Sequence, residues 1–247
     1  MFDLLFTRTF LIVGGMLLIT AIVSRFNKAF ETGREILITL GGTFIFLFAT
    51  IFFADMFPIN LFMVAIFSGL IGWQIGPVVA YYDKSSRLKK FLKDKGIYLK
   101  KGQKPTPEQI QEFEKGLVDL PNQFESQNVV FQAMMATALA VLATAGMVFF
   151  TNLNFSFLGG FLLICLIILL IMGLINVFFF RSPFFSLIRA YFGVVIFTLY
   201  LLFDFNRLEQ MANDKSWGAA VDIAVNIYLD IINLFLDLLR ILGDSDN

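Results

Sequence analysis

Trp217–Leu242 reads WGAAVDIAVNIYLDIINLFLDLLRIL, 26 residues of which most are apolar and three are aspartates. A stretch of this length spans the ~30 Å hydrocarbon core of a bilayer at ~1.5 Å rise per residue. At 100° per residue Asp222, Asn226, Asp230, Asn233 and Asp237 all fall within about 80° of one another. Val221, Ile223, Ile227, Leu234 and Leu238 take the other faces. The segment is therefore an apolar helix carrying one polar stripe. An aspartate at the centre of a span costs about 2.5–3.5 kcal/mol on insertion scales, so the stripe must turn toward a bundle interior or a watery cavity. This predicts that the last helix is central and that the others surround it.

Six more apolar blocks precede it, at Leu5–Ser24, Ile36–Ala54, Ile59–Tyr82, Val129–Phe150, Phe155–Phe180 and Pro183–Met211. The expected architecture is an all-α membrane protein, one domain over residues 1–247 with seven transmembrane helices. The composition agrees: 58% of the 247 residues are hydrophobic and 32 are Phe, above the ~45–50% apolar content of soluble domains. Arg8 ahead of an apolar stretch ending Ala21-Ile22-Val23-Ser24 resembles a signal peptide, but Ile22 and Val23 are bulky for a cleavage site, so the first block is read as an anchor.

Residues 83–127 form the one sizeable hydrophilic insert, between helices three and four, and it opens with a lysine-rich run from Lys84 to Lys104. Thr106-Pro107-Glu108-Gln109 carries a capping box with Pro in the first turn, so Thr106–Leu117 is expected to be a short amphipathic surface helix. It is either a solvated element or a contact for anionic lipid or a partner. Lys and Arg bias places this insert and the C-terminus in the cytoplasm, since Arg25, Lys28, Arg34, the insert and Arg181 share one side, against Arg8, Arg207 and Lys215 on the other.

The zero net charge gives no basic domain for nucleic acid, and the absence of His removes the usual metal ligand and physiological proton switch. The single Cys, Cys165, reads as a small buried or lipid-facing hydrophobe. No metal site and no cofactor are expected, nor is an ATP-driven pump, since no Gly-rich phosphate loop ends in Gly-Lys-Ser/Thr. The chain is not expected to be an enzyme. An intramembrane aspartyl protease needs a Gly-x-Gly-Asp signature; Gly243-Asp244 lies beyond the last span and lacks the upstream Gly, and Tyr228-Leu229 precedes Asp230. A retinal receptor would need a Lys in the final span.

A further acid, Asp204, lies in the sixth span. Folding spans six and seven into a hairpin about position 217 puts Asp204 and Asp230 each about 13 residues, or ~20 Å, up its arm. If their faces meet, the carboxylates cannot both ionise cheaply and share a proton. The alternative pairs Asp204 with Arg207, one turn on. Other intramembrane polar groups are Gln74, expected to satisfy backbone freed by Pro77, Asn176, expected to bond between helices, Arg189, which either snorkels or offsets an acid, and Asp55 at a span end, where charge is cheap.

Tyr228-Leu229-Asp230-Ile231-Ile232-Asn233-Leu234-Phe235-Leu236, followed by Leu238-Leu239-Arg240-Ile241-Leu242, resembles the last span of the Bax-inhibitor-motif membrane family. Tyr200-Leu201-Leu202-Phe203-Asp204 is similar to the acid-bearing end of that family's sixth span. Gly69-Leu70-Ile71-Gly72 through Gly76-Pro77, Phe131-Gln132-Ala133 through Thr137-Ala138, and Leu158-Gly159-Gly160-Phe161-Leu162 are similar to its spans three, four and five. The resemblance, to a bacterial-type member, implies a seven-helix fold with a central last helix in the plasma (inner) membrane. It implies a pH-sensitive calcium leak whose proton sensor is Asp204 with Asp230. The stripe residues Asp222, Asn226, Asn233 and Asp237 offer oxygens that could line a calcium pathway. The resemblance equally admits a non-transporting regulator that binds a membrane protease or a cell-death partner. Four features depart from the family pattern: Ile51-Phe52-Phe53-Ala54-Asp55 has no arginine to latch the pair, Phe205 is bulky, Asp237 is an extra acid, and the lysine-rich insert is unusual. The family's bacterial members are drawn with the N-terminus inside, against the charge count, so orientation stays open.

Overall fold

The computed structural model describes residues 4–98, 105–116, 128–151 and 153–245. Eight α-helices run in order among them: α1 (Leu4–Val23), α2 (Gly33–Phe52), α3 (Ile59–Asp94), α4 (Pro107–Gly116), α5 (Val129–Phe150), α6 (Leu158–Ile175), α7 (Pro183–Gln210) and α8 (Trp217–Ser245). A π-helical turn, Asn176–Phe180, prolongs α6. All but α4 are long and apolar enough to cross a membrane. The chain is an all-helical, multi-pass membrane protein.

α8 sits at the centre, packed against α7, α1, α5, α3 and α2. Of the residues in its apolar stretch, 61% are buried, against at most 33% in any other span. The burial is not confined to the polar stripe. Val221, Ile223, Ile227 and Leu234, on the remaining faces, are also buried. A helix hidden on every side is a core element, which explains why its apolar and polar residues are both sheltered. At the periphery α6 leans on α7 and exposes Leu163, Ile164, Ile167, Ile168, Leu170 and Ile171, a surface suited to acyl chains.

Close approach of α1 and α3 depends on two small residues. A Cβ on Gly72 would stand 2.8 Å from the Thr20 carbonyl oxygen, and one on Gly76 only 2.2 Å from that of Asn27. Missing side chains let the backbones meet, the usual way helices pack in lipid. Asn27 Nδ2 then donates to the Trp73 carbonyl at 2.9 Å. The start of α8 is fixed from two directions. Ser216 Oγ accepts the Ala219 N–H at 3.1 Å, and Asp55 Oδ1 accepts that of Gly218 at 2.8 Å. Both fill donors that a helix N-terminus leaves open. In the same turn Asp214 accepts the Ser216 N–H at 2.7 Å, which holds its carboxyl below the usual carboxylate range.

Three sequence expectations need correction. Helix three does not stop at Tyr82 but continues to Asp94 as the first part of the expected insert. Lys, Arg and Leu are good helix formers, and the extension has something to pack on: Leu92 is buried and Phe91 meets Phe113 of α4 edge-on at 5.6 Å between centroids. α4 carries the expected capping box, with Thr106 N–H donating to Gln109 Oε1 at 2.9 Å and Gln109 N–H to Thr106 Oγ1 at 3.3 Å. Its apolar residue Phe113 is fully buried, however, and the ion pairs Lys84–Glu114 (2.7 Å) and Lys95–Glu112 join it to α3 and the turn that follows. Residues 99–104 and 117–127, the rest of the insert, lie outside the described ones. Second, Gln74 does not serve the backbone around Pro77. Its Nε2 donates across to α2, to Thr39 O at 3.0 Å and Thr43 Oγ1 at 2.6 Å. Third, Asn176 acts within the α6–α7 connection, where its Oδ1 accepts the Ser182 N–H at 3.0 Å.

Candidate functional site

The antiparallel contact of α7 with α8 gathers the ionisable groups of the bundle. Asp204, on α7, is 3% exposed and Asp230, on α8, 7% exposed. Their carboxyls lie within hydrogen-bonding reach of each other. A hydrogen bond between two carboxyls needs one proton, because an ionised carboxylate only accepts. Two buried carboxyls this close meet more cheaply by sharing a proton than by both ionising. The second oxygen of Asp230, Oδ2, is buried and makes no hydrogen bond within the protein. Tyr200, one turn before Asp204, lies within electrostatic reach of both acids.

The alternative of Asp204 bound to Arg207 is not what the geometry gives. Arg207 Nη2 donates to Asp222 Oδ2 at 2.6 Å, so the first acid of the stripe takes the arginine. At the other end, Arg189 Nη2 donates to Asp237 Oδ1 at 3.0 Å. Arg189 thus offsets an acid rather than snorkelling. Asp237 is 2% exposed and fits only because α7 has no side chain at Gly193, where a Cβ would lie 1.9 Å from Asp237 Oδ2. Of the two asparagines, Asn226 is half-buried and Asn233 turns its Nδ2 back to the Leu229 carbonyl at 2.8 Å. The stripe is thus parcelled into three contacts with α7, and only the middle one is acid against acid. Among the described residues no three acids or cysteines converge as a metal-ion site. The lone Cys165 is half-buried.

Sequence reasoning passed over a second polar contact at the same core. Tyr228 Oη and Thr20 Oγ1 share a hydrogen bond of 2.6 Å, both groups buried, and Thr20 Oγ1 also lies 3.0 Å from the Ser68 carbonyl as its donor. α8, α1 and α3 are thereby tied together two residues before Asp230. A fully buried tyrosine needs a partner for its hydroxyl, which is the signal that was available at Tyr228.

Residues 117–247, which include α5 to α8 and both aspartates of the middle contact, match the family model described as "Inhibitor of apoptosis-promoting Bax1". The chain belongs to this Bax-inhibitor family. It is 34% identical over 123 residues to a Golgi anti-apoptotic protein of Vaccinia virus (strain Lister), covering 50% of each chain. It is 34% identical over 125 residues to Bax inhibitor 1 of Schizosaccharomyces pombe, covering 50% of this chain and 46% of that one. With an uncharacterized protein of Helicobacter pylori (strain J99) the identity is 30% over 114 residues, 46% of this chain and 47% of the other. The chain spans about half the length of the curated relatives it matches. The family match does not include residues 59–82.

Proposed function

We propose that this membrane protein is a pH-sensitive calcium leak channel in which Asp204 and Asp230 are the proton sensor. The observation that carries the reading is that two buried carboxyls on adjacent helices lie within hydrogen-bonding reach of each other. One proton on the pair gives a charge-assisted bond, the stronger kind, that clasps α7 to α8. A second proton removes the negative charge, weakens the clasp and loosens the two helices. Calcium favours oxygen ligands, and the uncommitted Oδ2 of Asp230 offers one where the path would open. With no arginine at the end of α2, the clasp depends on the pair alone. The reading is non-enzymatic, and it places the protein in a bacterial inner membrane.

Purified protein in liposomes loaded with a calcium-sensitive dye tests this. Calcium entry rises as the pH falls through the range in which the pair takes its second proton. Asp204→Asn and Asp230→Asn each fix one partner in a neutral state and flatten that pH dependence. Entry equal to that of protein-free liposomes at every pH removes the channel reading.

A second reading is favoured by the name "anti-apoptotic" carried by the viral relative: a regulator that transports nothing and binds a membrane protease or a cell-death protein. The α3 extension with α4 would be its docking element. Under that reading, deleting residues 84–124 abolishes capture of the partner and leaves calcium flux as it was.

A further inference from the structure

A furrow of about 270 Å³ runs down the outside of the bundle between α1 and α3. Its walls are Leu11, Ile12, Met16, Ile19, Leu61 and Val64, and Gly15 widens it, since a Cβ there would meet nothing within 4 Å. The lining on α1 extends from Arg8 to Ile19, a rise of about 17 Å, close to half the ~30 Å hydrocarbon thickness. The furrow is thus about one leaflet deep and apolar along its length.

One end is cationic. Arg8 stacks its guanidinium over Trp217 at 4.1 Å from the ring centroid, and its Nη1 donates to the Lys215 carbonyl at 2.6 Å. These contacts hold the guanidinium in place without neutralising it. Lys215 itself is exposed beside it, and among the described residues neither cation has a carboxylate partner within 4.0 Å. A tryptophan with an adjacent arginine and lysine is the chemistry of a membrane interface. We infer that the α1–α3 furrow seats one anionic phospholipid, with an acyl chain along Gly15 and its phosphate against Arg8 and Lys215. A zwitterionic lipid would bring the same chain without the uncompensated negative charge, so the two cations make the site selective.

Trp217 sits at the mouth of the furrow and reports on it. Trp73 is the other of the two tryptophans, so Trp73→Phe leaves a single reporter in the full chain. That variant is reconstituted in vesicles mixing phosphatidylcholine with phosphatidylglycerol, one or the other brominated on its acyl chains, and quenching of Trp217 is measured. Brominated phosphatidylglycerol should win the site with about a thirtyfold preference, the scale that two interfacial cations supply. Arg8→Gln with Lys215→Gln should bring the preference to about one, and millimolar inorganic phosphate should leave it unchanged. Gly15→Leu fills the furrow and should lower quenching by either lipid. Equal quenching by the two lipids in the parent overturns the proposal. So does a preference that survives loss of both cations, displacement by phosphate, or quenching untouched by Gly15→Leu. An unquenched Trp217 overturns it as well, because the furrow is then covered by protein, a second copy or a partner.

Discussion

Asp237 shows how one acid is made tolerable in the bundle. Its carboxylate is buried, bonded by Arg189 and pressed onto the bare backbone at Gly193. Two substitutions separate charge from space. Arg189→Met orphans a buried charge and should cost about 3 kcal/mol, read as a lower thermal unfolding midpoint in detergent. Replacing both partners, Arg189→Met with Asp237→Leu, should recover most of that loss, because no uncompensated charge remains. A double variant as unstable as the single one would mean that the ion pair is not what Arg189 contributes. The middle pair obeys different physics: Asp204 and Asp230 are two acids without a base between them, so their contact depends on a proton.

At the scale of elements, α1 and α3 touch through glycine and α8 begins on a borrowed carboxylate. Gly76→Leu would drive its side chain into the Asn27 carbonyl and should part α1 from α3, breaking the bond from Asn27 to Trp73. Gly14→Leu is the control, as a Cβ there meets nothing within 4 Å. The first variant should lose its folded, monodisperse elution in detergent while the second keeps it. Equal behaviour of the two would show that the helices can separate slightly without cost. The α3–α4 unit follows another rule. Its ion pairs are half-exposed and contribute little, whereas the burial of Phe113, ring to ring with Phe91, holds the two together.

The whole molecule is layered, with a core helix inside a ring and a flank of lipid-facing helices outside. An acid is accordingly tolerated on α8 and penalised on α6. Ile167→Asp, on the exposed face of α6, should cost about 2.5–3.5 kcal/mol of insertion free energy. Asp230→Leu, on the sheltered helix, should leave insertion close to that of the parent. Membrane-fraction yields of the two variants check this, and comparable yields would mean that α6 is not lipid-facing.

Much of this was legible in the chain. Block lengths set the number of spans, and the stripe on Trp217–Leu242 set the position of the last helix, because a buried charge has few places to go. Spacing about the α7–α8 turn brought Asp204 to Asp230. The same folding about residues 213–217 also brings Arg207 to the level of Asp222 and Arg189 to that of Asp237. Tertiary structure alone decided the rest. Spacing along a helix gives depth but not the facing of the neighbour, so the choice of Arg207 for Asp222 came from how α7 rolls on α8. The tie from Tyr228 to Thr20, the seat of Asp237 at Gly193 and the capping of α8 by Asp55 join residues 44 to 208 positions apart in the chain. No local pattern encodes such contacts. They exist because packing in lipid brings backbones together wherever side chains are missing, and because every buried polar group must then find a partner within reach.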